Sequence, residues 1–150
     1  MSKVTGRRQA REWAVQFLFQ TEFNPDDLEQ ALDDFWSDEE KKPSERDRAY
    51  VDEVVHGVIE KRREIDRTLS KYTKNWDVDR LGVLDRTVMR VAVYEMLFRG
   101  DIPPVVSINE AVEIAKAYSG KASGRFVNGV LDRIQKELDR PARTVETDND

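Results

Sequence analysis

Three arginines near the start of the chain are the residues best suited to contact a phosphate backbone. Arg7, Arg8 and Arg11 have a spacing that places side chains on one side of a helix. Guanidinium groups so arranged can bridge phosphates or stack on bases. A helix is predicted to begin at residue 7, and cations near the start of a helix interact unfavourably with the helix dipole. Because the arginines are present despite this electrostatic cost, we expect them to have a selected role. The alternative is a solvated end of the chain that promotes solubility.

The distribution of charge keeps nucleic-acid binding open although the net charge is −5. Residues 1–15 carry Lys3 and the three arginines against one acid, whereas residues 22–40 carry nine acids and no base. A phosphate backbone responds to a local basic patch rather than to the sum over the molecule. We therefore expect any nucleic-acid contact to be confined to one end of the protein.

An aromatic residue beside basic residues marks a second candidate site. Phe126 follows Lys121 and Arg125 at a predicted junction between a loop and a helix. An exposed aromatic ring beside cations suits stacking on a nucleic-acid base. The alternative is a core position, because Phe126 can join Val130, four residues later, at the edge of an apolar helix face.

Three further polar residues could extend this candidate site. Asn128 could hydrogen-bond to a base edge or cap a neighbouring helix, and the residues leave both roles open. Arg86 and Arg90 lie one helical turn apart and could enlarge the basic patch.

The residues needed for an enzyme are scarce. His56 is the only histidine and cysteine is absent, so neither a zinc cluster nor a catalytic triad is expected. We expect a structural or solvent-edge role for His56. Residues 120–124 lack the preceding strand and the spacing of a phosphate-binding loop. The sequence predicts no catalytic site, metal or cofactor, and without a membrane span or signal peptide it predicts a cytoplasmic protein.

Apolar residues recur at helical spacing along the chain, which predicts an all-α fold with about seven helical segments. The predicted helices cover 7–22, about 26–36, about 45–72, about 85–99, 108 to about 118 and about 123–139, with perhaps one turn in the connector 74–82. Asp26 is a predicted helix cap. Ser107 is predicted to cap the helix that follows Pro103 and Pro104, with Glu110 completing a capping box.

The first helix has more apolar surface than one buried face requires. Val15 and Phe19 lie four residues apart and off the stripe that contains Phe17 and Leu18. A helix that is apolar on several sides is either deeply buried or docked to a partner. Both interpretations stay open from the pattern.

Four sequence blocks in a fixed order resemble the NusB family of bacterial transcription antitermination factors. They are 7–12, 84–97, 102–116 and 125–132, and the resemblance runs from about residue 6 to residue 138. It implies one RNA-binding domain over 1–140, made of two small packed helical bundles at about 7–76 and 78–139. The polar, acidic segment 141–150 is predicted to be a disordered tail.

The resemblance also implies function and partners. Members of this family pair with NusE, a ribosomal small-subunit protein, on single-stranded boxA RNA of ribosomal leader transcripts, within the antitermination complex of RNA polymerase. It implies RNA contact by the N-terminal arginines and by the helix start at Phe126 and Asn128. It implies contact with NusE by Phe19, Glu22 and Asp85. Val15 is a further candidate for partner contact, because it lies on the surplus apolar surface of the first helix.

Two other functions stay open. The chain could be a non-catalytic helical interaction module that binds no RNA. It could also be a NusB-like accessory domain of an RNA methyltransferase, although such an enzyme needs a large α/β domain that 150 residues do not supply here.

Overall fold

Seven α-helices make up the part of the chain that the structure describes, and the all-α prediction is confirmed. The computed structural model describes residues 2–21, 27–73 and 82–138, with side chains in the first helix described from Arg8 onward. The helices are α1 (Ser2–Thr21), α2 (Leu28–Trp36), α3 (Glu45–Glu60), α4 (Arg62–Tyr72), α5 (Val83–Phe98), α6 (Pro104–Ser119) and α7 (Lys121–Glu137). None of the described helices is long and apolar enough to cross a membrane.

Helix α5 lies at the centre of the fold. It packs against α1, α3, α4, α6 and α7. Every residue from Thr87 to Met96 is buried, including Arg90 and Glu95. A helix buried on all sides must pair its charged side chains internally. Those pairings tie the candidate site residues to the core.

The long helix predicted for 45–72 is two helices. Helix α3 ends at Glu60 and α4 begins at Arg62, with Lys61 between them at φ −99° and ψ 16°. The hydrogen-bond ladder continues across the break, because Lys61 N donates to Gly57 O over 2.8 Å and Ile65 N donates to Lys61 O over 3.0 Å. The apolar stripe also continues, so periodicity could not reveal the break.

Gly57 marks a close crossing between α3 and the central helix α5. Gly57 is buried, and a Cβ atom there would overlap the ring of Tyr94 on α5. Glycine therefore lets the backbone of α3 lie directly against an aromatic ring of the central helix.

The predicted capping box of α6 is wrong. The helix begins at Pro104, with Pro103 in the N-cap position and no side-chain cap. Proline suits the first helical position because its missing N–H would have no partner there. Ser107 therefore lies inside the helix and donates to Glu95 instead, while Glu110 accepts from Arg8.

The start of α1 also differs from the prediction. The helix begins at Ser2 rather than at residue 7, so Arg8 and Arg11 lie in its interior turns. Because the helix dipole acts within the first turn, the argument from opposing charge does not apply to them.

Other helix termini follow local signals. Asp27 caps α2 by accepting from Gln30 N over 3.1 Å. Gly120, at φ +97°, separates α6 from α7 in a backbone conformation that side chains disfavour.

Some predictions lie outside the described residues. They are the side chain of Arg7, the predicted cap Asp26, the partner residue Glu22, most of the connector 74–82 and the tail 141–150. The proposed boundary between two bundles near residue 77 also lies there. Among the described helices, α5 of the proposed second bundle packs against α1, α3 and α4 of the proposed first bundle. Buried residues of these helices belong to one hydrophobic core.

Candidate nucleic-acid interface

Arg8 is held on the surface of the seam between α1 and α6. Its Nε donates to Glu110 Oε1 over 2.8 Å, and its Nη2 donates to Glu110 Oε2 over 2.9 Å. The Arg8 side chain is 41% exposed, whereas that of Glu110 is 8% exposed. The hydrogen bonds that Arg8 donates to Glu110 are the main cause that raises the pKa of Arg8 above its ordinary value. Arg8 can therefore present a charged edge to solvent from a fixed position.

Arg11, one turn further along α1, is buried, which argues against its predicted contact with RNA. Its Nε donates to Glu95 Oε2 over 3.0 Å, and its side chain is 4% exposed. Glu95 also accepts from the hydroxyls of Tyr50 and Ser107. Burial raises the pKa of Tyr50 well above its ordinary value, so the hydroxyl stays a donor at neutral pH. This network joins α1, α3, α5 and α6 and leaves Arg11 little surface for RNA.

An open groove between α6 and α7 brings together most of the second candidate site. Its volume is about 400 Å³. The lining residues are Asn109, Val112, Glu113, Lys116, Lys121, Gly124, Arg125 and Asn128. Gly124 allows this approach, because a Cβ atom there would overlap the side chain of Lys116. Lys121, Arg125 and Asn128 are all exposed. The groove thus presents cations and an amide together.

The groove and the Arg8 seam share helix α6. Glu110 holds Arg8 on one side of the helix, and Glu113, which lines the groove, is close enough to raise the pKa of Arg8 further. Exposed cations from α1 and α7 therefore flank one helix. A phosphate backbone could follow this surface.

Phe126 has a position that is compatible with both roles considered for it. The ring is half-buried and packs against the hydrophobic core. Part of it remains accessible beside Arg125, which is exposed. Stacking on a base and packing in the core are thus compatible at this position.

Arg90 lies in the protein interior, which argues against the predicted extension of the patch. Its Nε and Nη2 donate to the two carboxylate oxygens of Asp66 on α4 over 2.8 and 3.1 Å. Arg90 is 8% exposed, because its side chain lies between the central helix α5 and α4. Arg86 is half-buried on the same helix.

The candidate protein-partner surface is narrower than predicted. Phe19 is 46% exposed, but Val15 is 1% exposed and belongs to the core, so the interpretation of Val15 as a docking residue is wrong. Helical periodicity cannot show that α5 and α6 together cover that side of α1. Asp85 is half-buried at the start of α5, and its Oδ2 accepts from Ser123 on α7 over 3.1 Å.

Phe19 and Asp85 lie towards the same end of the fold. Leu18 and Thr21, which flank Phe19 on α1, line one small cavity together with Thr87 of α5. Asp85 lies two residues before Thr87, so both candidate partner residues belong to the region where α1 ends and α5 begins.

Three residues that matter to this surface were missed by the sequence patterns. Glu110 and Glu95 hold the two arginines, and nothing in the local sequence marks them as partners of residues 84 and 102 positions away. Tyr118 is 50% exposed, and its hydroxyl accepts from Gln16 on α1 over 3.2 Å. Its only sequence signal is an aromatic residue at a predicted helix end.

His56 has the solvent-edge position that was expected. It is exposed, its Nε2 lies 2.7 Å from Glu29 Oε2, and its Nδ1 lies 2.6 Å from Asp52 O. Within the described residues, no three His, Asp or Glu side chains are grouped so that they could hold a metal ion.

Comparisons with known proteins agree with this architecture. The NusB family profile matches residues 8–136. The transcription antitermination protein NusB of Methylacidiphilum infernorum is 43% identical over 140 residues, which cover 93% of this chain and 96% of the relative.

Two solved structures resemble the fold closely. NusB from T. maritima shares 42% identity at a TM-score of 0.77, over 91% of this chain and 92% of its own. A NusB from a structure of antitermination factors NusB and NusE with double-stranded RNA shares 26% identity at a TM-score of 0.77, over 88% of this chain and 97% of its own. The match over nearly all described helices, together with the identity to curated relatives, shows that this chain belongs to the NusB family.

Proposed function

We propose that this chain is a transcription antitermination factor that binds single-stranded boxA RNA together with NusE. The observation that carries the proposal is the exposed cationic surface on both sides of α6, made by Arg8 at the α1 seam and by Lys121 and Arg125 in the groove. The membership in the NusB family gives this surface its ligand. A relative of this fold has been solved with NusE and double-stranded RNA.

The RNA-contacting residues in this proposal are the exposed ones. Arg8, Lys121 and Arg125 contact phosphates, the accessible part of Phe126 stacks on a base, and Asn128 hydrogen-bonds to a base edge. Asn128 suits that role because its side chain is exposed and makes no hydrogen bond within the described residues. Arg7 stays in the proposed set on the family resemblance.

Residues with buried side chains take a supporting role. Arg11 and Arg90 are engaged by Glu95 and Asp66, so direct RNA contact would first require breaking these ion pairs. Removing one partner from a fully buried pair such as Arg11–Glu95 costs about 3–5 kcal/mol, which weak RNA contacts at the surface would not recover. Arg86 is half-buried and lines a small cavity between α4 and α5 together with Arg90, so we leave it out of the proposed contacts.

NusE is proposed to bind at the end of the fold that carries Phe19 and Asp85, with Glu22 added by family resemblance. An aromatic ring that is 46% exposed is the kind of anchor that protein interfaces use. Asp85 also contacts α7, the helix that carries Lys121 and Arg125, because its carboxylate accepts from Ser123 at the start of that helix.

The mechanism in this proposal is assembly without bond chemistry. Each partner contributes a modest RNA-binding surface, and joining them raises affinity through linked binding. The assembled complex helps RNA polymerase read through terminators. Since nascent ribosomal transcripts are made in the bacterial cytoplasm, the proposal implies a cytoplasmic protein.

The test is RNA binding as a function of salt, measured by fluorescence anisotropy with a labelled boxA oligonucleotide, with and without NusE. The double variant Lys121→Ala/Arg125→Ala should bind more weakly, and its salt slope should fall by about 1.4, since a single-strand phosphate contact contributes about 0.7.

The matched control is Lys42→Ala/Arg46→Ala, which removes the same charge from exposed positions near the start of α3. It should change affinity little. Equal losses in the two variants would contradict the groove assignment. NusE binding without any RNA binding would favour the helical interaction module.

A further inference from the structure

We propose that Glu110 is a positioning residue for RNA binding, which acts by holding the Arg8 guanidinium with one edge turned to solvent. The inference rests on the proposed function, because it concerns the same RNA surface. It assigns a role to a carboxylate that the simple charge argument would treat as unfavourable to RNA.

The pairing geometry leaves a defined edge of Arg8 for a ligand. Glu110 engages Nε and Nη2 in two nearly parallel hydrogen bonds of 2.8 and 2.9 Å. No hydrogen bond joins Nη1 to a described residue. A planar guanidinium gripped on one edge is fixed in orientation, so its remaining N–H groups point in one direction. A phosphate oxygen can bind there without releasing Glu110.

Burial explains why RNA would add to this pair rather than replace it. Glu110 is 8% exposed, whereas Arg8 is 41% exposed. If a phosphate pulled Arg8 away, Glu110 would be left as a buried carboxylate without its partner, which is strongly unfavourable. Glu110 therefore holds the Arg8 side chain in place and does not compete with RNA for it.

A second ion pair fixes the frame in which Arg8 is held. Arg11 lies one turn after Arg8 on α1 and binds Glu95 of α5, and Glu95 also accepts from Ser107, one turn before Glu110 on α6. Helix α1 is thus attached to α5 and α6 by two adjacent pairs. Pre-ordering a flexible arginine reduces the entropy that RNA binding would otherwise cost.

The direction in which RNA affinity changes when a negative charge is removed separates this positioning role from general electrostatic repulsion. Removing any negative charge near a phosphate should strengthen RNA binding, because it lowers repulsion. Glu12 provides the matched control, since it lies close enough to Arg8 to interact electrostatically but its side chain makes no hydrogen bond with a described residue. Glu12→Gln should leave RNA binding unchanged or strengthen it. Glu110→Gln should weaken binding roughly three- to tenfold through its coupling to Arg8.

A double-mutant cycle tests whether Glu110 acts through Arg8. The full-length chain, its Glu110→Gln and Arg8→Ala variants and the double variant are compared for binding to labelled boxA RNA in the presence of NusE. We expect Glu110→Gln to have no effect in the Arg8→Ala background. We also expect both single variants to lower the salt slope, which a loss of folded protein alone would not change.

Arg8→Lys guards against misfolding of the Glu110 variant. Lysine keeps the positive charge and leaves Glu110 intact, but it cannot make the two-bond pairing. It should lose most of the affinity that Arg8→Ala loses. Full affinity of Arg8→Lys would overturn the inference.

The remaining outcomes are also decisive. Stronger RNA binding by Glu110→Gln would make Glu110 a competitor, and an equal loss with and without Arg8 would show action by another route. Either result overturns the inference while leaving the proposed function in place. Absence of RNA binding by the parent chain with NusE would instead overturn the proposed function.

Discussion

Arg11 and Glu95 form a nearly fully buried ion pair, with 3.0 Å between Nε and Oε2, at the junction of α1 and the central helix α5. Arg8, one turn earlier on the same helix, is paired but 41% exposed. Adjacent arginines of one sequence cluster thus have different roles. Arg11 is paired within the core, and Arg8 is the one of the two whose exposure fits the proposed contact with RNA.

We therefore expect Arg11→Ala to destabilise the fold much more than Arg8→Ala does. Arg11→Ala leaves Glu95 without its cation in the interior and should lower the free energy of unfolding by about 3–5 kcal/mol. Arg8→Ala should lower it by less, because Arg8 is 41% exposed and its truncation, unlike a phosphate bound over the site, lets water reach the Glu110 carboxylate. Urea denaturation measures both. Similar stabilities for the two variants would contradict this division of roles.

Gly57 and Gly129 should respond oppositely to alanine. A Cβ atom at Gly57 overlaps the Tyr94 ring, so Gly57→Ala should destabilise the protein by about 1–3 kcal/mol through overpacking. A Cβ atom at Gly129 in α7 meets nothing within 4 Å, so Gly129→Ala should stabilise by up to about 1 kcal/mol through helix propensity. Thermal melting gives both signs, and stabilisation by Gly57→Ala would show that the crossing tolerates a side chain.

His56 should give a small pH-dependent contribution to stability. The hydrogen bonds to Glu29 and to Asp52 O raise its pKa above the ordinary 6.5 in the folded protein. A raised pKa means that the contribution is fully present below about pH 6.5, the unfolded value, and is lost as the pH rises through the folded value. Because the side chain is 44% exposed, we expect about 0.2–1 kcal/mol.

The measurement compares the parent with His56→Gln by urea denaturation from pH 5.5 to pH 9. The stability difference between the two proteins should shrink with rising pH. A difference that grows with pH would mean that the neutral ring is the stabilising form.

Phe126 can be divided into its two roles by two substitutions. Phe126→Leu keeps most of the apolar packing and should change stability by less than about 1.5 kcal/mol. It removes the aromatic face, so RNA binding should still weaken by about 1–3 kcal/mol. Phe126→Ala should lose both. Normal RNA affinity of Phe126→Leu in an anisotropy titration would assign the residue to the core alone.

Phe19→Asp should abolish NusE binding and leave the fold intact. A charge placed in an apolar contact would be desolvated without a partner, while the 46% exposed position tolerates it in the free protein. Val106→Asp is the matched control, because Val106 is 38% exposed on α6 and lies outside the proposed surface. Isothermal calorimetry with purified NusE distinguishes them. Equal NusE affinity of Phe19→Asp and the parent would place the partner elsewhere.

Local patterns were sufficient for the all-helical fold and for much of the surface. The spacing of apolar residues in α5 and α7 reflects interactions within a few turns, which is why the helices were predictable. Lys121 and Arg125, which were named as basic residues beside Phe126, are both exposed. Helix ends were less accurate, since Pro104 rather than Ser107 starts α6 and the break at Lys61 interrupts neither hydrogen bonds nor periodicity.

The sequence by itself determined that an arginine cluster and an aromatic–basic helix start exist on an all-α chain. Only the tertiary structure decided which arginine faces solvent, because Glu95 and Glu110 come from helices far along the chain. It also decided that Val15 is core and Phe19 is surface. The physical reason is that sequence spacing sets the direction of a side chain around its own helix, whereas burial depends on which other helix packs there.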